Sequence, residues 1–289
     1  MPKRNLLNLT LLVFVALLIS LVIFKPGKNI KTLPTLTPLQ ASSITHIKLK
    51  RSHDKTAIEL LKKDNQWVML SPHQQPANSF RIAAILKLLS AVSFSKNDLS
   101  NLNPVEFGFD QPGAIITFNN STKIVFGHNK SLNHHRYVKI GSDLHLIADT
   151  FYYQLAAKTE SFIEHKLLPL KTKITQLHLP SLSLKKKNGA WQLTPNSESY
   201  SADSANQLID EWQLSQAYDI KINRLATTTK PDIEITTQNN KVLRFKLGNN
   251  NNDFSLTNID SGISYILSAD RKDKLLKLPS SVHNLHNDI

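Results

Sequence analysis

Three histidines, His128, His134 and His135, lie in one loop-like stretch with His145 nearby, and they are the chain's most chemistry-laden residues. Imidazole nitrogens hold zinc when three or four ligands converge on one point. Neighbouring residues on a strand face opposite ways, so His134 and His135 share a metal only if they lie on a loop. The reading taken is surface histidines, with a metal site on a loop as the alternative. Asp98, Glu106 and Asp110 flank a single connector. General acid–base work needs two carboxylates in one cleft with separated pKa values, and turn and capping roles account for these three without it. Among the eight glycines there is no Gly-x-Ser-x-Gly elbow and no Gly-x-Gly-x-x-Gly. Gly108 to Gly113 has the outer spacing of a phosphate loop, but Ala114-Ile115 follows where Lys and a hydroxyl are needed to grip phosphate and magnesium. The absence of cysteine excludes disulfides, zinc thiolates and thiol nucleophiles. No catalytic, cofactor-binding or metal-binding residue is therefore assigned, no cofactor is expected, and a non-enzymatic role is expected.

The elements that would carry any site are written twice. Residues 116–127 alternate apolar and polar, turn at Asn119-Asn120 and close on Gly127; residues 235–248 repeat this through Asn239-Asn240 to Gly248. Ile44-Thr-His-Ile is answered by Ile174-Thr-Gln-Leu, and Trp67 to Pro72 by Trp191 to Pro195. Such self-similarity at a fixed offset marks a tandem pair of β-rich units. Trp67 and Trp191 are read as core anchors of matching hairpins, with sugar stacking as the alternative. Each unit then has one amphipathic helix. The first is capped by Asn78 or Ser79 and the second by Ser201 or Asp203. Each unit is expected to close on a short helical piece, ending at Leu168-Pro169 and at Leu278-Pro279.

Leu6 to Phe24 is apolar apart from Asn8, Thr10 and Ser20, with Lys3, Arg4, Lys25 and Lys28 around it. Roughly 20 such residues span a bilayer core, and no small-x-small cleavage site follows. The expectation is an uncleaved membrane anchor with the basic tip in the cytoplasm and the remainder outside. The net charge is +13, spread as +5 over residues 1–31, +5 over 32–169 and +3 over 170–289. This mild, mixed balance lacks the basic stripe with aromatics of a nucleic-acid surface, so no nucleic-acid partner is expected. Lys185-Lys186-Lys187 before Asn188-Gly189 reads as a solvated hairpin tip.

The order Ile-Thr-x-Ile, Trp-x-x-Leu-x-Pro, Glu106-Phe107-Gly108-Phe109-Asp110-x-Pro112, a hairpin ending in glycine and Tyr137-Val-x-x-Gly resembles the bacterial family catalogued as domain of unknown function 4340. The likeness is good over residues 44–155 and looser over 174–279. Its most specific piece, Glu106 to Asp110, is missing from the second unit. The resemblance implies one N-terminal membrane helix followed by such repeats, and an accessory role beside gliding-type or ABC-type transport components. It brings no catalytic residues.

The expectation is thus an α+β protein with two tandem sheet-dominated units, each with one covering helix, behind a transmembrane helix. Residues 1–25 form the tip and anchor, 26–43 an extended linker, 44–169 unit one, 170–279 unit two and 280–289 a tail. Trp67, Trp191, Glu106, Phe107, Gly108, Phe109, Gly127 and Gly248 are the candidate structural anchors. The expected partners are the membrane and an envelope or membrane protein. They would be met at hairpin edges and the groove between units by a protein on the extracytoplasmic side of a bacterial inner membrane; a glycan- or peptidoglycan-binding role is the alternative, with an unrecognised hydrolase behind it.

Overall fold

The structure, a computed structural model, describes residues 3–23, 33–130, 134–169, 171–196, 201–223, 228–250 and 253–279. The tip before Lys3, the start of the linker and the tail after Pro279 lie outside them. Helix α1 (Lys3–Ile23) has 21 residues, about 31 Å at a rise of ~1.5 Å per residue. Its apolar side chains from Leu6 to Ile19 are 46–70% exposed. Among the described residues, no helix is long and apolar enough to cross a membrane.

From Leu33 the chain lies against unit one. Leu36 is buried, and its N–H donates to Ala91 O at 2.7 Å while Ser93 N–H donates back to Pro34 O at 2.9 Å. The linker is therefore docked before the first long strand begins.

Unit one contains β1 (His46–Arg51), β2 (Ile58–Lys63), β3 (Gln66–Ser71), β4 (Gln75–Pro76), α2 (Ser79–Leu86), β5 (Ser95–Asp98), β6 (Ala114–Phe118), β7 (Thr122–Lys130), β8 (His135–Ile140), β9 (Asp143–Ala148) and α3 (Thr150–Ala156). The nine strands form one antiparallel sheet in the order β4-β3-β2-β1-β6-β7-β8-β9-β5. Side chains alternate across a strand, so Ile47 and Leu49 of β1, Ile58 and Leu60 of β2, and Ile116 and Phe118 of β6 share the inner face, all fully buried. The turn Asp64-Asn65 carries two positive φ angles, 49° and 63°, which match the right-handed twist of the hairpin it joins. Asn78 caps α2 by accepting from Arg81 N–H at 3.2 Å, and Ile82 and Ile85 seat the helix on the core.

Unit two contains β10 (Ile174–His178), β11 (Ser183–Lys187), β12 (Ala190–Thr194), α4 (Ala202–Leu214), β13 (Asp219–Ile222), β14 (Ile233–Thr237), β15 (Val242–Asn250), β16 (Asp253–Asn258), β17 (Ile263–Ser268) and α5 (Arg271–Leu276). Its order, β12-β11-β10-β14-β15-β16-β17-β13, matches unit one from β3 to β5 strand for strand. Asn188-Gly189 turns β11 into β12 with φ of 52° and 85°. Ser201 caps α4 in a capping box with Ser204. The edge strands β4, β5 and β13 are too short for the sequence to announce, and β5, Ser95–Asp98, has no apolar residue at all. Asn249 and Asn250 end β15, paired with Phe254 and Asp253 of β16.

The join corrects one expectation. The helical piece of unit one stops at Phe162, not at Leu168, and the chain then runs extended. This segment bonds to both units. Glu164 N–H donates to Pro76 O at 2.8 Å on one side; Ala217 N–H donates to His165 O at 2.8 Å and Leu167 N–H to Ser215 O at 3.2 Å on the other. Phe162, Ile163, Leu167 and Leu168, each at most 3% exposed, sit in an apolar cluster that is continuous through both units.

Candidate functional site

The family-specific stretch forms a structural knot. Asn103 caps a 3₁₀ turn, Pro104–Phe107, that ends on Gly108 in the left-handed region, φ 74°. The turn places Phe107 edge-on to Tyr137, with ring centroids 5.0 Å apart, and 6.2 Å from Phe109. Gly127 of β7 passes beneath, where a Cβ would overlap the Phe107 carbonyl oxygen. Arg136 closes the arrangement by donating to Gly127 O at 2.6 Å and to Asp149 at 2.5 Å, with its guanidinium 3.7 Å from the Tyr152 ring centre. Glu106 is exposed at the turn. Gly248, at the matching place in β15, needs only to clear the Ser255 hydroxyl.

Trp191 is 9% exposed, and its Nε1–H donates to Asn206 Oδ1 at 3.1 Å, tying β12 to α4. Trp67 is half-buried against the core. Trp212 of α4 is fully buried, and its Nε1–H donates to Leu275 O at 2.9 Å.

The histidines are not gathered. His134 is in a turn, His135 stacks on Phe94 at 4.2 Å, and the His128 ring covers Gly108. His145 is 4% exposed and bonds Ser93 Oγ at 2.9 Å. With Ser93 Oγ donating to Ser95 O, the imidazole Nδ1–H is the group left to donate to Ser93 Oγ. Burial pushes its pKa down; the nearby Asp143 opposes this more weakly. Although a Ser–His pair is the arrangement that activates a nucleophile, both side chains here are sealed from solvent and the serine proton points away from the imidazole. Among the described residues no group of three His, Asp or Glu side chains is placed to hold a metal ion.

What the fold does build is a groove between the units. A cavity of about 550 Å³ opens between the β2–β3 hairpin end at Gln66, the segment from Pro169 to Lys173, and the β14–β15 tip at Gln238 and Asn239. It continues, across Pro169, Lys241 and Leu243, into a second cavity of about 280 Å³ beside the extended join. The floor is apolar, with Leu167 3%, Leu243 8% and Ile263 2% exposed. Tyr265 lines it, and its hydroxyl is pushed up to about 12, by burial first and then by the charge of Glu164. Four lysines stand along the groove: Lys166, Lys171, Lys173 and Lys241. The sequence reading named the groove as a contact surface but none of these lysines. The signal was there in Lys166 and Lys171-x-Lys173 bracketing the junction of the repeats.

A duplicated, sheet-based α+β protein with a basic groove between its halves is the class that the fold and the site define. A family model described as Domain of unknown function (DUF4340) matches residues 67–238, more than half of the chain. The chain belongs to that family. The match begins at Trp67 in unit one and ends at Gln238 in unit two, so it takes in the knot, the join and one wall of the groove. No curated protein and no solved structure matches the chain.

Proposed function

We propose that this protein is a non-enzymatic binding and assembly module held by a single N-terminal anchor at the extracytoplasmic face of a bacterial cytoplasmic membrane, where it serves an ABC-type transport complex as an accessory. The observation that carries the binding role is the groove: both units build it, and its floor belongs to the core that they share. Rigid, apolar concavities with a few placed polar groups are where proteins take ligands and partner segments. The anchor is supported by α1, whose 21 residues present leucines, valines and isoleucines with no packing partner to bury them. The transport setting rests on the family resemblance. A glycan-binding reading asks for aromatic rings on an open face, and the burial of Trp191 and the packing of half-buried Trp67 against the core weigh against it.

The test is site-specific photo-crosslinking in cells, with the reactive group at Gln66 or Gln238 in the groove and, for comparison, at Lys48 on the outer face of β1. One membrane protein captured from both groove positions and not from Lys48 supports the module. Equal capture from all three sites, or none, sinks it. Fractionation tests the anchor separately: deletion of Leu6 to Phe24 should release a folded chain from membranes, and a deleted chain that still sediments with them would refute it.

A further inference from the structure

The groove's charges are unbalanced in a way that points to its ligand. Of the two acids that line it, Glu164 accepts from the N–H groups of His165 and Lys166 at 2.9 and 3.2 Å, and Asp260 is paired with Arg244 at 2.6 Å. No carboxylate among the described residues pairs with Lys166, Lys171, Lys173 or Lys241. Most other described lysines of the two units are likewise unpaired, although Lys96, Lys158 and Lys246 find Asp143, Asp219 and Asp232; what sets these four apart is that one groove gathers them. The groove therefore concentrates positive charge that the protein itself does not neutralise, and a lined cleft focuses such a field.

The backbone is shaped to the same end. Lys171 has φ 62°, a region that Gly or Asn enters at little cost and that other residues occupy only when the surroundings impose it. The turn that imposes it is closed twice on Pro169 O, by Thr172 N–H at 3.2 Å and Thr172 Oγ1 at 2.6 Å. Next to the lysines lie apolar floor residues, Leu243, Leu167 and Ile263, and the uncharged amides of Gln66, Gln238 and Asn239. A bare inorganic anion would satisfy the lysines and leave that floor wet. A segment with acidic and apolar side chains in alternation satisfies both, and its main chain meets the amides.

We propose that the groove receives an extended acidic segment, alternating carboxylate and apolar side chains, from a partner protein. This deepens the reading of the protein as a binding module and rests on it. The probe is a fluorescent peptide alternating Glu and Leu, titrated against the full chain in detergent micelles, with its Gln-for-Glu counterpart as control. Binding of the Glu peptide alone is expected, weakening with salt. Reversing two groove charges, K171E with K241E, should weaken it about tenfold or more, since like charges then face the ligand. Reversing K185 and K187 at the exposed β11–β12 tip should change it little. The neutral pair K171Q and K241Q, with an unchanged melting profile, separates loss of charge from loss of fold. Equal weakening by the tip reversal would overturn the proposal, because general basicity then suffices. Displacement of the peptide by inorganic phosphate at matched charge would also overturn it, in favour of a small-anion site. If the peptide does not bind but Gln66 and Gln238 still crosslink to one membrane protein, the acidic-segment inference falls and the module stands.

Discussion

Gly127 and Gly248 occupy matching strands but face different neighbours, so the same substitution should not cost the same. An alanine methyl on Gly127 meets the Phe107 carbonyl, part of a backbone held by Tyr137 and Gly108. Overpacking against fixed atoms costs about 1–3 kcal/mol, and Gly127→Ala should reach the upper end in denaturant melts. On Gly248 the methyl meets the end of the Ser255 side chain, so Gly248→Ala should be milder and Ser255→Ala should relieve it. Failure of Ser255→Ala to rescue would mean that the strands themselves are too close. His145 supplies a second test. Its folded pKa lies below the usual imidazole value because burial disfavours the charge. As pH falls from about 7, the unfolded chain therefore takes up a proton at this site before the native one does. Stability should decline through that window, and His145→Gln should flatten the slope of Tm against pH between about 7 and 5. An unchanged slope would place the imidazole in contact with water.

Helices α2 and α4 are marginal by length and depend on their caps and their buried stripes. Asn78→Ala removes the acceptor for Arg81 N–H and Ser201→Ala removes half of a capping box; each should cost about 1 kcal/mol, read as a shift in Cm at constant m. These elements were legible because their signals are local. A cap followed by apolar residues at helical spacing, an Asn-Gly turn, and two-residue alternation each needs only a few neighbours to be recognised. The edge strand β5 was not legible, since Ser95-Lys-Asn-Asp owes its conformation to β9 rather than to its own composition, and β13 offers only four residues of alternation. The extended run after Phe162 escaped for the same reason: its carbonyls and N–H groups are claimed by two different units. Of the candidate anchors, Gly127 and Phe107 could be picked out by motif, but that they touch each other is a tertiary fact. The groove lysines look like ordinary solvated charges until folding gathers the four of them along one cleft.

Taken whole, the molecule has one apolar cluster and not two. Phe162 is at its centre, fully buried beside the guanidiniums of Arg51 and Arg81 at 5.9 and 5.8 Å. Arg51 in turn is bound to Asp54, Ala157 O and Thr159, so the end of unit one is clamped where unit two begins. Phe162→Ala should cost about 3–5 kcal/mol and destabilise both halves together, as a single shifted calorimetric transition. Two transitions, only one of them shifted, would show that the units melt independently.

The docking of Leu36 and Thr37 against Ala91 and Leu89 also sets the length of a leash. With α1 in a bilayer, as proposed, the stretch of sequence between Ile23 and Pro34 can span no more than about 40 Å at ~3.5 Å per residue. On that proposal the module would be a short-range sentinel. It can meet partners that themselves sit at the membrane, and it is kept out of contact with anything anchored farther across the envelope than its own body and leash extend.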